Sequence, residues 1–376
     1  MTVHVSAVGF ARFGKRPEGL TDLAAEAASG ALAGLGRKPI DYLVVGNMLA
    51  GAVNGAENLV SRVANRIGLE TAAGLRVEAA SASGAAAFHA AVHAVTSGHH
   101  ERALVLAVEK MTDRPTAEVS AALAHSLHPS EQSVGATMPA LAALVSQRYA
   151  EQYEVDTAVF DEITVRARRA AERNPYAQFR TPVTANEVRS SRAVALPLHL
   201  LHCSSISDGA VAVVLERGEG PAAVAGIGQA FEALALVDRP DLTTFAATRL
   251  ASERAFFSAK IPKKDIGVVE LHDAFSPFLL IDLEDLGFAE PGKAASWFTG
   301  RGPPHGSPSV NPSGGILGRG HPVAASGLAE IAAVAQQLRG ESGPAAVDPR
   351  PRAGLAQSIG GLASHNFVTI LGAPVP

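Results

Sequence analysis

The feature that most restricts the fold of this chain is an internal repeat of strand and helix patterns. The first half opens with a strand pattern at residues 3–10, an alanine-rich helix pattern at about 20–34 and a second strand pattern at 39–46. The second half repeats this order at residues 222–228, about 242–259 and 264–271. Strands that alternate with helices indicate an α/β architecture with largely parallel pairing. A duplication of this kind predicts two similar sheets packed together.

The repeat continues towards the end of each half. Each half reaches a turn of small residues and an alanine-rich helix, at residues 81–97 and again from 311 with a helix at about 324–339. A last strand follows, at 103–108 and at 355–359. We therefore divide the chain into residues 1–218 and 219–376.

Two long segments interrupt these patterns. Residues 111–197 form an insertion in the first half, with helix patterns at 140–153 and 156–173. Long insertions between core strands usually lie over the site end of a sheet. Residues 286–312, rich in Gly and Pro, are predicted to form a second lid-like loop.

Composition excludes several classes of protein. Charged residues make up 18% of the 376 residues and the net charge is −4, whereas nucleic-acid binders usually carry a basic face. No apolar run reaches the roughly 18 residues of a membrane span, and the N-terminus lacks a signal-peptide pattern. Cys203 is the single cysteine, which excludes an internal disulfide and multi-cysteine metal sites. We expect a cytoplasmic protein without a metal, nucleic-acid or membrane partner.

The turn at Ser81 is the first of three segments that can carry chemistry. A strand-like approach at residues 76–80 leads through small residues into a helix at 85–97. A side chain at such a turn lies over the positive end of the helix, where anionic charge is favoured. This position suits a nucleophile or an acyl group, although a serine needs a base beside it. A simple helix-capping serine is the alternative.

The other two segments each carry a histidine. His272 and Asp273 follow a buried strand pattern, and polar groups at strand ends are typical of ligand sites in α/β proteins. His321 follows a glycine-rich stretch at 311–320 and precedes Pro322, which is natural at a helix start. The alternatives are a structural histidine and an incidental one in a turn. His199, His202 and Cys203 fit no zinc spacing.

Together these segments resemble the thiolase superfamily over essentially the whole chain. The resemblance is to the acetyl-CoA acetyltransferase and sterol-carrier-protein-type branch. It rests mainly on the sequence V-E-A-A-S-A-S-G at 77–84, H-D-A-F at 272–275 and G-H-P at 320–322. Weaker matches lie at residues 109–112, 135–139, 174–179 and 197–210.

The resemblance implies a five-layered αβαβα fold and a dimer or dimer of dimers. It implies an acyl-CoA substrate bound under the insertion and no separate cofactor. The histidine that matches His321 activates the nucleophile, and the one that matches His272 holds the thioester oxygen in an oxyanion hole. Ser81 occupies the nucleophile position. The same resemblance assigns substrate or coenzyme A contacts to five residues: Asp273, Phe275, Met138, Gly315 and Gly361.

The chain departs from the family pattern at both cysteines. Ser81 stands where the family has its nucleophilic cysteine, and Ala274 or residues 357–361 stand where relatives place a second one. Ala324 stands where the family more often has glycine. Cys203 matches a cysteine that is not catalytic in the family.

Four explanations of the serine are consistent with the sequence. Ser81 is a true nucleophile, or it only donates hydrogen bonds in a retro-aldol or related enolate reaction. Alternatively, the chain is a non-catalytic acyl-CoA-binding subunit beside a small acyl-CoA-binding partner, or the serine was introduced to trap a substrate. We predict a thiolase-type acyltransferase because both histidine segments keep their neighbours.

Overall fold

The described residues of this computed structural model are 2–33, 35, 39–300 and 302–372. Twelve strands lie within them. They are β1 (Val3–Gly14), β2 (Tyr42–Gly46), β3 (Ala73–Val77), β4 (Arg102–Glu109), β5 (Ala193–Ala195), β6 (Leu198–His199), β7 (Asp208–Arg217), β8 (Val224–Phe231), β9 (Val268–Glu270), β10 (Ser309–Val310), β11 (Ala353–Gly360) and β12 (His365–Gly372).

Thirteen α-helices lie in the same part of the chain. They are α1 (Leu20–Leu32), α2 (Ala50–Asn54), α3 (Leu59–Ile67), α4 (Ser83–Thr96), α5 (Thr116–Ala124), α6 (Pro129–Ser133), α7 (Met138–Gln152), α8 (Ala158–Ala171), α9 (Ala185–Ser190), α10 (Ala246–Ala259), α11 (Phe278–Asp285), α12 (Gly315–Arg319) and α13 (Val323–Arg339). The first predicted helix ended at Gly34, which lies outside the described residues.

The two large sheets have the same strand arrangement. The first has the order β1-β7-β4-β2-β3 and the second has the order β8-β12-β11-β9-β10. Position by position, each strand of the first sheet has a counterpart in the second, and the pairing directions agree as well. The predicted duplication is therefore present in the topology. The division at residues 218 and 219 stays our proposal, and it falls between β7 and β8.

The prediction of largely parallel pairing was wrong for half of each sheet. Each sheet has two parallel and two antiparallel strand pairs. Strands β7 and β12, which follow the predicted last strands, were not predicted from the sequence. β12 follows β11 after a tight turn, and a hairpin requires antiparallel strands. β7 occupies the corresponding place after the chain returns from the insertion.

The sheets and helices form five layers. Helices α1 and α3 cover the outer face of the first sheet, and α10 and α11 pack with the second sheet in a separate core. Helices α4 and α13 share one core with residues of both sheets and lie between them. The predicted α/β fold with five layers and two duplicated halves is confirmed.

The middle layer explains the alanine-rich composition of its two helices. Most residues of α4 and nearly all residues of α13 are buried, as expected for helices that are largely apolar. They cross at Gly84 and Gly327, where an added Cβ atom would overlap the opposite helix or Ser358. Glycine at these two positions lets the backbones approach closely. The crossing fixes the helix that follows Ser81 against the helix that follows His321.

No helix within the described ranges is both long and apolar enough to cross a bilayer.

Candidate active site

Ser81 lies in a tight turn between β3 and α4. Ala80 adopts a left-handed conformation with φ of 50°, which is unusual for a residue with a Cβ atom. The hydroxyl of Ser83 donates to the carbonyl of Ala80 at 2.6 Å and accepts from the amide of Ala79 at 2.8 Å. The serine that stabilises the turn is therefore Ser83. Ser81 is half-buried and lines a cavity, at the N-terminal end of α4.

His272 lies just after the end of β9, in the interior. Its backbone amide donates to Oε1 of Gln357 at 3.0 Å, and its Nδ1 atom lies 3.1 Å from Oε1 of Glu330. Burial, with a smaller contribution from the positive charge of Arg319, lowers the pKa of His272 to about 3. The imidazole is therefore neutral at physiological pH, and its other nitrogen, Nε2, carries no bond to Glu330.

His321 lies before the first turn of α13. Its Nδ1 atom lies 2.8 Å from the hydroxyl of Ser326, and its amide donates to the hydroxyl of Ser207 at 3.0 Å. Burial lowers the pKa of His321 well below its usual value, and His272 and Arg319 lower it further. A neutral imidazole held in this way can accept a proton.

The two imidazoles belong to one site. Their ring centroids are 5.3 Å apart and their planes meet at 80°. Ser81, His272 and His321 all line a cavity of about 530 Å³. Three of the other predicted residues, Met138, Phe275 and Gly361, line the same cavity; the first comes from the insertion and the others from the second half.

The insertion provides much of the cavity wall, as its predicted position over the site requires. Its lining residues come from its first residue, from around α5, α7 and β5, and they are Met111, Thr116, Ser120, Leu123, Ser126, Thr137, Met138, Pro139, Arg192 and Val194. Arg192 is exposed and is the charged side chain among the described lining residues other than histidine.

Asp273 and Gly315 lie behind this cavity. Asp273 is fully buried and its carboxylate accepts from the amide of Ile316 at 2.5 Å, close to the start of α12. Burial raises the pKa of Asp273 to about 7. Gly315 has a φ of 57°, and a Cβ atom there would overlap the Asp273 carboxylate and Asn311. In this structure both residues support the loop before His321.

The predicted lid-like loop at 286–312 covers a different place. Together with Ile163, Arg166 and Asp273, it lines a separate cavity of about 230 Å³. This loop packs against α8, and its lid-like role stays a prediction.

A buried charge network behind His272 was missed from the sequence. Arg319 is 1% exposed, donates to the hydroxyl of Ser313 at 2.9 Å and lies 3.7 Å from Glu270. Glu330 is fully buried, and burial raises its pKa well above the usual value. A signal for Glu330 was present, since it is a lone acidic residue in an otherwise apolar stretch of α13.

The residues considered for a metal have other partners. His202 Nε2 lies 2.9 Å from the carboxylate of Asp161, and its Nδ1 atom accepts from the amide of His199. Cys203 lines the main cavity, and burial raises the pKa of its thiol to about 12. In the described ranges, no three His, Cys, Asp or Glu side chains gather in a way that could hold a metal ion.

Comparison with known families agrees with this geometry. The thiolase N-terminal domain family matches residues 5–219, and the thiolase C-terminal domain-like family matches residues 228–373. The chain belongs to the thiolase superfamily. The predicted resemblance and the predicted reaction class, an acyltransferase of the thiolase type, are confirmed.

Individual relatives fall in the predicted branch. The chain is 40% identical over 352 residues to an acetyl-CoA acetyltransferase of Methanothermobacter thermautotrophicus, covering 90% of this chain and 91% of the relative. It is 29% identical to sterol carrier protein 2 of Gallus gallus, covering 91% of this chain and 66% of the relative. Among solved structures, the Ltp2-ChsH2(DUF35) aldolase has a TM-score of 0.82 and 25% identity, covering 99% of this chain and 98% of that chain.

Proposed function

We propose that this thiolase-superfamily protein acts on acyl-CoA thioesters, and that it forms or cleaves a carbon–carbon bond next to the thioester carbonyl. The observation that carries the proposal is the convergence of Ser81, His272 and His321 on one cavity of about 530 Å³. A hydroxyl and two neutral imidazoles around one carbonyl can stabilise an enolate or a tetrahedral intermediate. No cofactor beyond the thioester is required by this chemistry.

The cavity suits an acyl chain better than a polar substrate. Apolar side chains form much of its wall, among them Met111, Leu123, Met138, Phe275 and Phe278. Burial of apolar surface contributes roughly 25 cal/mol per Å². We propose that the acyl group lies against this wall and that the phosphates of coenzyme A lie near Arg192, where a guanidinium can pair with phosphate.

The three polar groups have distinct proposed roles. His321 is the base, since its Nδ1 atom is engaged by Ser326 and its other nitrogen is available as an acceptor. His272 offers an N–H to the thioester oxygen. Ser81 receives the acyl group or donates to the carbonyl from the N-terminal end of α4, where developing negative charge is stabilised.

A second candidate function is a lyase that cleaves the bond by a retro-aldol route. A seryl ester holds less free energy than a thioester, so returning an acyl group from Ser81 to coenzyme A is unfavourable by a few kcal/mol, or roughly 10²–10³ in equilibrium. A retro-aldol route needs no acyl-enzyme. The similar fold of a structure named as an aldolase favours this candidate.

The assembly and location are part of the proposal. β3 is an edge strand, most of its residues are exposed, and Leu75 is 39% exposed. Exposed edges readily pair with another strand, so we propose a homodimer joined at β3, close to Ser81. A dimer of dimers, or a complex with a small acyl-CoA-binding protein, can be built on this unit. The aldolase of similar fold is named for two components, Ltp2 and ChsH2(DUF35), which supports a complex with a small partner protein. We propose a cytoplasmic location.

The deciding experiment uses a panel of acyl-CoAs and 3-oxoacyl-CoAs. Intact mass analysis tests for an acyl adduct, and a parallel assay follows free coenzyme A and any released ketone or aldehyde. An acyltransferase forms an adduct that is absent in Ser81→Ala and requires coenzyme A or a second acyl-CoA. An aldolase releases a carbonyl product without coenzyme A as a co-substrate.

Binding provides the control for this experiment. Ser81→Ala should bind the same acyl-CoA with unchanged affinity, because the coenzyme A moiety is proposed to lie away from Ser81. A protein that binds acyl-CoA but gives neither product is a non-catalytic subunit. Absence of binding to every acyl-CoA contradicts the proposed function itself.

A further inference from the structure

The contact between His272 and Glu330 is not explained by oxyanion binding alone. An imidazole that only donates to a thioester oxygen through Nε2 needs a hydrogen-bond donor at Nδ1 to fix its tautomer, and a backbone N–H or an amide suffices for that. Here the partner is a carboxyl group on α13, 3.1 Å from Nδ1, and both side chains are buried. A carboxyl differs from an amide because it can give up a proton.

The surroundings keep this pair neutral in the resting state. Burial raises the pKa of Glu330 well above its usual value, and burial lowers the pKa of His272 to about 3. Glu330 therefore holds its proton and its O–H donates to Nδ1 of His272. The remaining ring proton is then on Nε2, the nitrogen that can donate to a thioester oxygen.

The positive charge of Arg319 can stabilise the Glu330 carboxylate once Glu330 has given up its proton. Arg319 is the cation that acts on both side chains, and Glu330 in turn raises the pKa of the buried carboxyl groups of Glu270, Asp273 and Asp282. A carboxylate formed at Glu330 is stabilised by the arginine, but it is not the preferred resting form.

We propose that Glu330 is a positioning residue that passes its proton through His272 to the enolate oxygen of the substrate. This proposal rests on the proposed function. As His321 removes the proton from the α-carbon, the Nε2 proton of His272 moves to the thioester oxygen and the Glu330 proton moves to Nδ1. The products are the enol, an imidazolium at His321, a neutral His272 protonated on Nδ1, and the Glu330 carboxylate. Reversal of the same steps restores the starting state.

The relay supplies a function that this chain otherwise lacks. An acid is needed to protonate the enolate oxygen as His321 takes the proton from the α-carbon, and Ala274 contributes no such group at the cavity wall. A neutral His272 alone can only lend a hydrogen bond to the oxygen. With Glu330 behind it, His272 can protonate the oxygen and remain uncharged, so no second buried imidazolium forms beside His321.

The test measures loss of tritium from the α-carbon of acetyl-CoA and octanoyl-CoA. Glu330→Gln keeps a donor to Nδ1, so acyl-CoA affinity and KM should not change. The substituted amide has no proton to transfer, and kcat for tritium loss should fall by roughly 10²-fold, the usual contribution of general acid–base catalysis.

The matched control is Asp161→Asn. Asp161 and His202 form another buried carboxylate–imidazole pair, with a 2.9 Å contact, away from the reacting groups. Tritium loss in this variant should equal that of the wild type. An undiminished kcat in Glu330→Gln, or an equal fall in both variants, overturns the relay while leaving the proposed function in place.

A wild-type measurement removes dependence on the folding of any variant. The rate of tritium loss is measured in mixtures of H₂O and D₂O. Transfer of two protons in one step, from Glu330 and from His272, gives a curved dependence on deuterium fraction. A straight line contradicts the relay. Absence of tritium loss from the wild type with either acyl-CoA overturns the proposed function and the relay together.

Discussion

Restoring a thiol at position 81 tests the physical basis of the site. Ser81 lines the cavity at the N-terminal end of α4, and a helix N-terminus stabilises an anion by about 0.3–1 kcal/mol. Since 1.36 kcal/mol corresponds to one pKa unit, Ser81→Cys should give a thiol with a pKa about 0.2–0.7 below the ordinary value of roughly 8.5. At pH 8, about a third to six tenths of this thiol is then ionised.

The same change removes the energetic obstacle to acyl transfer. Transfer between two thiols exchanges one thioester for another. Transfer from a seryl ester to a thiol is unfavourable, by a factor of roughly 10²–10³ in the equilibrium constant. Thiolysis of acetoacetyl-CoA by Ser81→Cys should therefore exceed that of the wild type by at least about 10²-fold. The assay follows consumption of acetoacetyl-CoA in the presence of coenzyme A.

The thiol pKa is measured separately, from the pH dependence of alkylation by iodoacetamide. The native Cys203 contributes little to this titration because burial raises its pKa to about 12. Ser120→Cys is the matched control, since Ser120 lines the same cavity from the middle of α5. If Ser81→Cys has a thiol pKa no lower than Ser120→Cys, or shows no gain in thiolysis, the assignment of position 81 as the nucleophile site is wrong.

Three further predictions concern the histidines, the helix crossing and the effect of pH. His321→Ala and His272→Ala should each lower turnover by roughly 10²-fold or more in a steady-state assay, and full activity in both would contradict the mechanism. Gly84→Ala should lower the free energy of unfolding, measured in urea, by about 1–3 kcal/mol, because its Cβ would overlap the backbone of α13. Gly19→Ala is the control, since a Cβ atom there would lie 3.6 Å from the Asp22 carboxylate. Burial raises the pKa of Glu109 to about 8, so the folded state binds more protons than the unfolded state between about pH 4.5 and 8. The free energy of unfolding should therefore fall as pH rises through this interval, with a slope of up to ~1.4 kcal/mol per pH unit. Glu109→Gln should reduce this slope, and an identical slope in the variant would refute the assignment to Glu109.

The duplication was predictable because it follows from local patterns, whereas the five layers were predicted from the family resemblance. Alanine-rich stretches such as residues 324–339 repeat at matching places in the two halves, and their lack of a polar face indicates burial on all sides. Strand direction was not predictable in the same way. The pattern of β12 contains no information on its partner, and only the short turn before it indicates a hairpin.

From the sequence, only the site residues near the end of a strand or near the start of a helix could be predicted. Ser81, His272 and His321 each lie at such a boundary, which is why the sequence alone drew attention to them. Glu330 lies inside a helix and Gln357 inside a strand, so their contacts with His272 depend on the packing of α13 against the second sheet. Asp273 directly follows His272 in the chain, but this position gave no indication that its carboxylate points towards α12.

The crossing of α4 and α13 has a consequence for how this molecule can vary. Because the backbones touch at Gly84 and Gly327, a side chain added at either position must displace its neighbours and shift Ser81 relative to His321. The insertion lines the cavity from another part of the chain, so changes in its side chains leave this crossing intact. Thus one helix crossing sets the relative positions of Ser81 and His321, and the cavity wall can be altered separately from it.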